Sequence, residues 1–472
     1  MKYKRLFWLA LFALVLAARL CHIDILWAEE TLPMAAAAQM LHGKVLYRDI
    51  WFDKPPLLPA TYLVWGAHDG LPLRLAGALY VLLACWLAWR FARSLWTQRE
   101  AIWAAALLAF YLTFYIPSSA LPLAADLLML APHLAAVWLA WRGRSFWSGV
   151  LAGVTFLINP KGVFVLAVCA IYNVPGLPLL AAGFALPNAA AAVWLWQQGA
   201  LSAYYDQVWK WGRIYAGITF VEHPVANGIE RTAHWMGFHA AIVIAALWFL
   251  FRDPKANRLR WLLWAVISLV AVAAGWRFFP RYYFQLLPVA VLAGARGFAM
   301  LRPRCAAVLA MLLLIPFIRF GPRYALLARD VIEGQPPHWV DLGMDQDSRA
   351  AAQLVRQLSA PGDTLFVWGF RPEFYIYTRL PAATRFLDSQ PLTGVPADRH
   401  LTVSKPVETG STREHRAQLA HTQPTFILDG LGPFNPHLAI GMFPDLRPWL
   451  AQYREVARTR LTVIYKLQSA RN

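Results

Sequence analysis

Two adjacent acids, Glu29 and Glu30, follow the first apolar segment of the chain, and a second dense polar cluster follows at Tyr47-Arg48-Asp49-Ile50-Trp51-Phe52-Asp53-Lys54-Pro55-Pro56. A carboxylate can take the proton of an attacking hydroxyl, and cations can neutralise a departing phosphate. Glu29 and Glu30 supply the carboxylates, and two like charges side by side could push one pKa towards neutrality. Arg48 and Lys54 supply the cations, Asp53 stands next to Lys54 and could orient it, and Pro55-Pro56 fixes the path of the chain beyond. The plainer alternative for the acid pair alone is a solvated helix N-terminus, where negative charge is favourable. With Lys54 at this spacing, the stretch from Glu29 to Pro56 reads as an active-site loop. Connections between apolar helices are usually short, and this one is long, charged and aromatic.

The elements that must position this loop are apolar. Hydrophobic residues make up 59% of the 472, charged ones 15%, and Trp occurs 23 times, against about a quarter charged in an ordinary soluble protein. The chain is therefore a polytopic membrane protein. Its formal charge of +18 does not imply nucleic acid: residues 1–320 hold 27 Lys+Arg against 12 Asp+Glu, leaving 44 − 27 = 17 against 26 − 12 = 14 beyond. The excess lies at helix ends, as the positive-inside rule describes. With about 20 apolar residues per crossing, eleven candidate spans fall near residues 5–21, 71–92, 101–118, 122–141, 145–159, 161–174, 177–197, 236–251, 260–276, 282–300 and 305–320. The start, Met1-Lys2-Tyr3-Lys4-Arg5 and its apolar run, reads as an uncleaved anchor. Basic residues put Arg90, Arg93, Arg99, Arg142, Arg144, Arg252, Arg302 and Arg304 on the cytoplasmic side. The loop of residues 22–56, the stretch from Gln198 to Ala233 and everything after Gly321 then lie outside. Four scattered cysteines indicate neither a disulfide framework nor a metal site.

Thr31 to Leu41 and Leu57 to Trp65 have helical spacing and fit two short helices at the membrane interface. The second outer stretch, with Tyr204, Tyr205, Trp209, Trp211 and Phe220, reads as an interfacial aromatic belt, with a sugar-stacking surface as the alternative. Residues 321–472 form a separate α/β unit: Ala350 to Leu358 helical, Thr364 to Trp368 a strand, Glu373 to Tyr377, Thr425 to Leu428 and Leu461 to Lys466 continuing the alternation, and Pro444 to Val456 helical. It carries no glycine-rich nucleotide loop and is expected to cap the site.

Ionisable residues close to apolar spans are costly and seldom idle. Asp126, Lys161 after Asn159-Pro160, and Arg277 and Arg281 flanking Phe278-Phe279-Pro280 all map to the same side as Glu29. Such a ring of cations suits a phosphate or pyrophosphate. Helix capping or snorkelling is the alternative for Asp126 and Lys161 taken singly. No residues at ligand spacing demand a metal, although the carboxylates leave room for a divalent ion.

These motifs resemble a known family. The acid pair, Gly43, Tyr47-Arg48-Asp49 and Lys54-Pro55-Pro56, with Asn159-Pro160-Lys161, Arg277 to Tyr283 with Pro288, and Phe366 to Glu373, resemble the GT-C glycosyltransferases, nearest the protein mannosyltransferase-like and aminoarabinose lipid A transferase-like bacterial enzymes. The resemblance implies an α-helical polytopic enzyme of the bacterial inner membrane, with its active site and C-terminal α/β domain in the periplasm. It would transfer a sugar from a polyprenyl-phosphate donor to a lipid, glycan or protein acceptor of the envelope. Glu29 stands where the family usually has Asp, as catalytic acid, and Glu30 matches the second acid. Lys54, Arg48, Lys161, Arg277 and Arg281 are the expected phosphate ligands, with Asp53, Asp126 and Tyr282 in support; Arg281 replaces a His often found before the Tyr. No cofactor and no nucleic-acid partner are expected. Two other readings stand beside this one: a transporter or flippase of lipid-linked glycans, against which the one-sided charges and the lack of an internal repeat weigh, and a glycan-binding sensor or scaffold.

Overall fold

The structure is a computed structural model that describes residues 2–217, 222–334, 340–395 and 403–468; Phe220 lies outside them. The first helix is α1 (Lys2–Leu20), and the segment after it supplies α2 (Ala28–Leu41) and α3 (Leu57–Leu63) before the long α4 (Leu71–Leu95). Both short helices occur where apolar spacing predicts them. Glu29 and Glu30 occupy the first turn of α2, where their charge complements the exposed amides.

Among the described residues, three helices are long and apolar enough to cross a membrane: Leu71–Leu95, Val174–Gln197 and Pro303–Asp330. The helices Pro224–Phe238 and Ala240–Arg252 add a span if their 88° bend is a break within one crossing. Shorter apolar helices, among them Ser145–Ile158, Gly162–Tyr172 and Leu287–Met300, pack between them. Several expected spans are thus realised as short or broken helices. Where Ser145–Ile158 meets Leu177–Gln197, a Cβ on Gly149 or Gly183 would collide with the facing carbonyl of Leu180 or Phe146. Small residues at such crossings let the two backbones approach. The following helix starts at Gly162, so Lys161 sits in the turn before it rather than within a span.

Two of the boundaries differ from expectation. The helix Leu314–Glu333 runs through residues 320 and 321, so no break in secondary structure falls at 321. In the C-terminal domain a four-stranded sheet has the order β1-β2-β4-β3, with β1 (Leu365–Trp368) parallel to β2 (Phe426–Asp429) and β4 (Val463–Leu467) antiparallel to both β2 and β3 (Tyr453–Arg458). Glu373 to Tyr377, given no stated type in the alternation, is a helix, Glu373–Thr378, buried along its length. Pro444 to Val456 is helical only as far as Leu450, after which β3 begins. The first strand positions are wholly buried, which fits a sheet covered on both faces.

Candidate active site

The loop between α2 and α3 is held in place from two sides before it contributes any chemistry. Tyr47 adopts φ 68°, a left-handed conformation that costs about 1–3 kcal/mol for a residue with a side chain. Its carbonyl accepts hydrogen bonds from Gln207 Nε2 at 2.8 Å and from Arg385 at 2.9 Å, and its hydroxyl donates to the Lys54 carbonyl at 2.7 Å. Gln207 also accepts from the Phe52 amide at 2.8 Å, and the Trp51 amide donates to the Arg385 carbonyl at 2.7 Å. The loop is stitched both to the stretch around Gln207 and to the C-terminal domain. This fixes the backbone on which Asp53 and Lys54 stand.

Those two residues face a cavity of about 400 Å³. Its walls bring together Glu29 from α2, Asp53 and Lys54 from the loop, Asp126, Lys161, and Arg277, Arg281 and Tyr282. Eight of the ten expected site residues therefore meet, although five separate segments of the chain supply them. Four cations and three carboxylates line one space.

Contacts within the cavity give each group a direction. The Arg281 guanidinium lies 2.6 Å from Glu29 Oε1 and 3.5 Å from Asp126 Oδ2, bridging the two acids. Asn159 donates to Asp126 Oδ1 at 3.3 Å and accepts from the Lys161 amide at 3.1 Å, so one amide side chain sets the turn that carries Lys161. The Lys161 ammonium sits 3.3 Å above the centre of the Tyr282 ring, a cation–π contact. It has no hydrogen-bond partner among the described residues, and burial pulls its pKa down to about 8. Lys54 pairs with Asp53 at 2.5 Å.

Two expected residues go elsewhere. Glu30 is one residue further round the helix, and a step of about 100° per residue turns its carboxylate away from that of Glu29. It is wholly buried against Arg74 of α4, 2.9 Å away, and also accepts from the Leu123 amide at 3.4 Å. Arg74 in turn donates to the backbone carbonyls of His22 and Ile25. Glu29 and Glu30 thus form no acid dyad. Arg48 is half exposed, pairs with its neighbour Asp49 at 2.9 Å and does not line the cavity.

Several participants escaped sequence reasoning. Arg74 had a readable signal, since an arginine at the end of an apolar helix opposite to its basic end at Arg90 and Arg93 is expensive unless paired. Phe370 and Gln390 of the C-terminal domain, and Val208 and Gly212, complete the cavity wall, and neither apolar nor neutral polar residues of this kind announce a site. Phe370 does fall in the Phe366 to Glu373 motif. Among the described residues no three His, Cys, Asp or Glu side chains gather as a metal-binding group.

No family model matches the sequence. No curated protein matches it either. The structure does have solved counterparts. It is similar to ArnT from Cupriavidus metallidurans bound to undecaprenyl phosphate, at 15% identity and a TM-score of 0.59, with 98% of each chain covered. It is likewise similar to the apo state of that protein, at 14% identity and a TM-score of 0.60, with 97% of each chain covered. Near-complete coverage in both directions extends the likeness through the helices and the terminal sheet. The chain has the GT-C fold.

Proposed function

We propose that this protein is a membrane glycosyltransferase that moves a sugar from a polyprenyl-phosphate donor to an acceptor of the cell envelope. The carrying observation is the single cavity that holds Glu29, Lys54, Lys161 and Arg281 together. The fold shared with ArnT, which binds undecaprenyl phosphate in one of its crystal structures, supports the choice of donor. The positive-inside pattern supports an outward-facing site, periplasmic in a bacterial inner membrane, with roughly eleven crossings counting short and broken helices.

In the reaction, the acceptor hydroxyl attacks the anomeric carbon while Glu29 takes its proton. The bond between that carbon and the phosphate oxygen breaks, and the electron pair stays on the phosphate of the carrier lipid. Lys54 and Lys161 neutralise this growing charge, with Arg277 in support. Arg281 holds Glu29 by Oε1, leaving Oε2 to receive the proton, and ties it to Asp126. Tyr282 steers Lys161 from beneath. If the acceptor is itself a phosphate, the carboxylate instead stabilises positive charge on the sugar. No step needs a metal ion, so transfer should survive EDTA.

The test is Glu29→Gln and Lys54→Ala in full-length protein shown to be folded and inserted in the membrane, with sugar transfer from the lipid carrier as readout. A near-normal rate in both would sink the assignment. Mass spectrometry of envelope glycans with and without the gene then identifies the sugar and acceptor. A transporter or flippase would move lipid-linked glycan across liposomes without forming a glycosidic bond.

A further inference from the structure

Among the described residues, the C-terminal domain reaches the cavity at Phe370 and Gln390 alone, and neither carries a charge. One hydrogen bond between distant parts of the domain brings them to the same wall: the Gly369 amide donates to Ser389 Oγ at 2.8 Å, and each of these residues precedes one of the pair. Gly369 has φ 112°, and a Cβ there would come within 3.1 Å of Leu431, so the turn that presents Phe370 requires a glycine. The charged neighbours of the pair do not line the cavity. Arg371 is buried and donates to the Leu461 carbonyl at 3.0 Å and to Thr462 at 2.8 Å, with Asp347 at 3.2 Å. Asp388 is buried too, and accepts from the Gln390 backbone amide at 2.8 Å. The domain thus offers the cavity an aromatic face and a carboxamide and keeps its own charges inside.

The rest of the wall is charged, and its carboxylates are all engaged. Glu29 is held by Arg281 at 2.6 Å, Asp126 by the same guanidinium at 3.5 Å and by Asn159 at 3.3 Å, and Asp53 by Lys54 at 2.5 Å. With four cations against three carboxylates, the described residues leave the cavity one positive charge. A sugar joined to a polyprenyl chain through a phosphodiester brings one negative charge, so the phosphate alone balances the wall. An ammonium on the sugar would restore a positive surplus with no unengaged acid to meet it. A carboxylate on the sugar would add a negative charge beyond what the cations balance. In a site as partly buried as this one, an unmatched charge counts against the ligand that brings it.

We infer that the sugar this protein transfers is uncharged, and that Phe370 and Gln390 are the residues that select it. The proposal rests on the glycosyltransferase reading and adds the class of sugar. A sugar ring presents a face of C–H bonds, weakly positive at hydrogen, which suits the negative face of the Phe370 ring. The Gln390 carboxamide has two N–H donors and an acceptor oxygen, and so matches hydroxyls, which both give and take hydrogen bonds. The labour is divided by domain: the helical part and its loop hold the phosphate and the base, while the C-terminal domain reads the sugar.

The experiment uses the full chain in phosphatidylcholine nanodiscs at neutral pH, with calorimetric titration as readout. The probes are methyl farnesyl phosphate, which has no sugar, and the farnesyl phosphodiesters of glucose, mannose and galactose. Each sugar is also supplied with an ammonium or a carboxylate in place of its primary hydroxyl. At least one neutral sugar should bind about tenfold more tightly than methyl farnesyl phosphate and than both of its charged counterparts. Phe370→Ala and Gln390→Ala should each remove most of that gain. Gln390→Glu keeps the size of the side chain and supplies a negative charge, so it should shift preference about tenfold towards the ammonium sugar. A charged sugar that binds wild type as tightly as its neutral counterpart overturns the uncharged class. No gain from any sugar over methyl farnesyl phosphate, or a Gln390→Glu variant with the wild-type preference, overturns the sugar contact of the C-terminal domain. Methyl farnesyl phosphate that binds equally well after Lys54→Ala with Lys161→Ala overturns the donor reading itself, and the sugar class with it.

Discussion

Glu29 and Glu30 are neighbours in sequence with opposite expected responses to substitution. Glu30 is 0% and Arg74 1% exposed in their side chains, so Arg74→Ala leaves a carboxylate buried without its counter-ion. Breaking a buried pair by removing one member costs about 3–5 kcal/mol. Arg74 also releases the carbonyls of His22 and Ile25, so the upper half of that range is expected. At about 2–4 °C per kcal/mol for larger domains, the fall in Tm should be roughly 8–20 °C. Replacing both partners by apolar residues of similar volume, Glu30→Leu with Arg74→Met, should recover most of the loss, because an apolar pair needs no compensation. Glu29→Gln should leave the Tm within about 2 °C, since its partner Arg281 keeps Asp126 and the position is partly open. The assay is thermal unfolding of detergent-purified protein followed by intrinsic fluorescence, with transfer measured on the same samples. If Arg74→Ala melts like wild type, or Glu29→Gln melts as badly as Arg74→Ala, the division of labour between the two acids is wrong.

Other expectations follow from the same geometry. Glu29→Gln should cut kcat by about 100- to 10,000-fold, the usual range for a general base, in a single-turnover transfer assay. Because burial holds Lys161 near pH 8, its charged form is lost as pH rises through 8, so kcat/KM for the donor should fall about tenfold per unit above that point. Lys161→Arg should flatten that decline, as a guanidinium keeps its charge. Gln207→Ala removes the partner of both the Phe52 amide and the Tyr47 carbonyl and should cost about 1–3 kcal/mol per group left unsatisfied; its signature is a raised donor KM through a displaced Lys54, and an unchanged KM would count against the bracing role of the loop.

Much of the site was readable because ionisable residues stand out against an apolar chain. Glu29, Lys54, Asp126, Lys161 and Arg281 each sit where a charge has no business unless something uses it, and all five reach one cavity. What could not be read was direction. Adjacent glutamates look equivalent in a string, and only the helical step separates the one that faces the cavity from the one that meets Arg74. Arg48 stood among the cations by proximity, yet its nearest acid, Asp49, is one residue away and holds it outside. The fold was legible as a membrane helical unit with a terminal α/β domain, but spans were harder to count, since Ser145–Ile158 and Gly162–Tyr172 are shorter than a bilayer is thick. In the terminal domain, Glu373–Thr378 lies fully buried, so its apolar run carries no period to tell helix from strand.

The stitching between the first loop and the C-terminal domain also sets an order of events at the ribosome. Lys44 contacts the Ala382 carbonyl across 338 residues of sequence, so translation at about 5–20 residues per second separates the two by about 17–70 s. Throughout that interval the nascent chain already carries Glu29 and Lys54 without the strand-and-helix unit that pins their loop. A polypeptide halted before residue 380 would form its helices and still lack a finished pocket, because Gln390 belongs to the wall, so competence arrives only with the C-terminal domain.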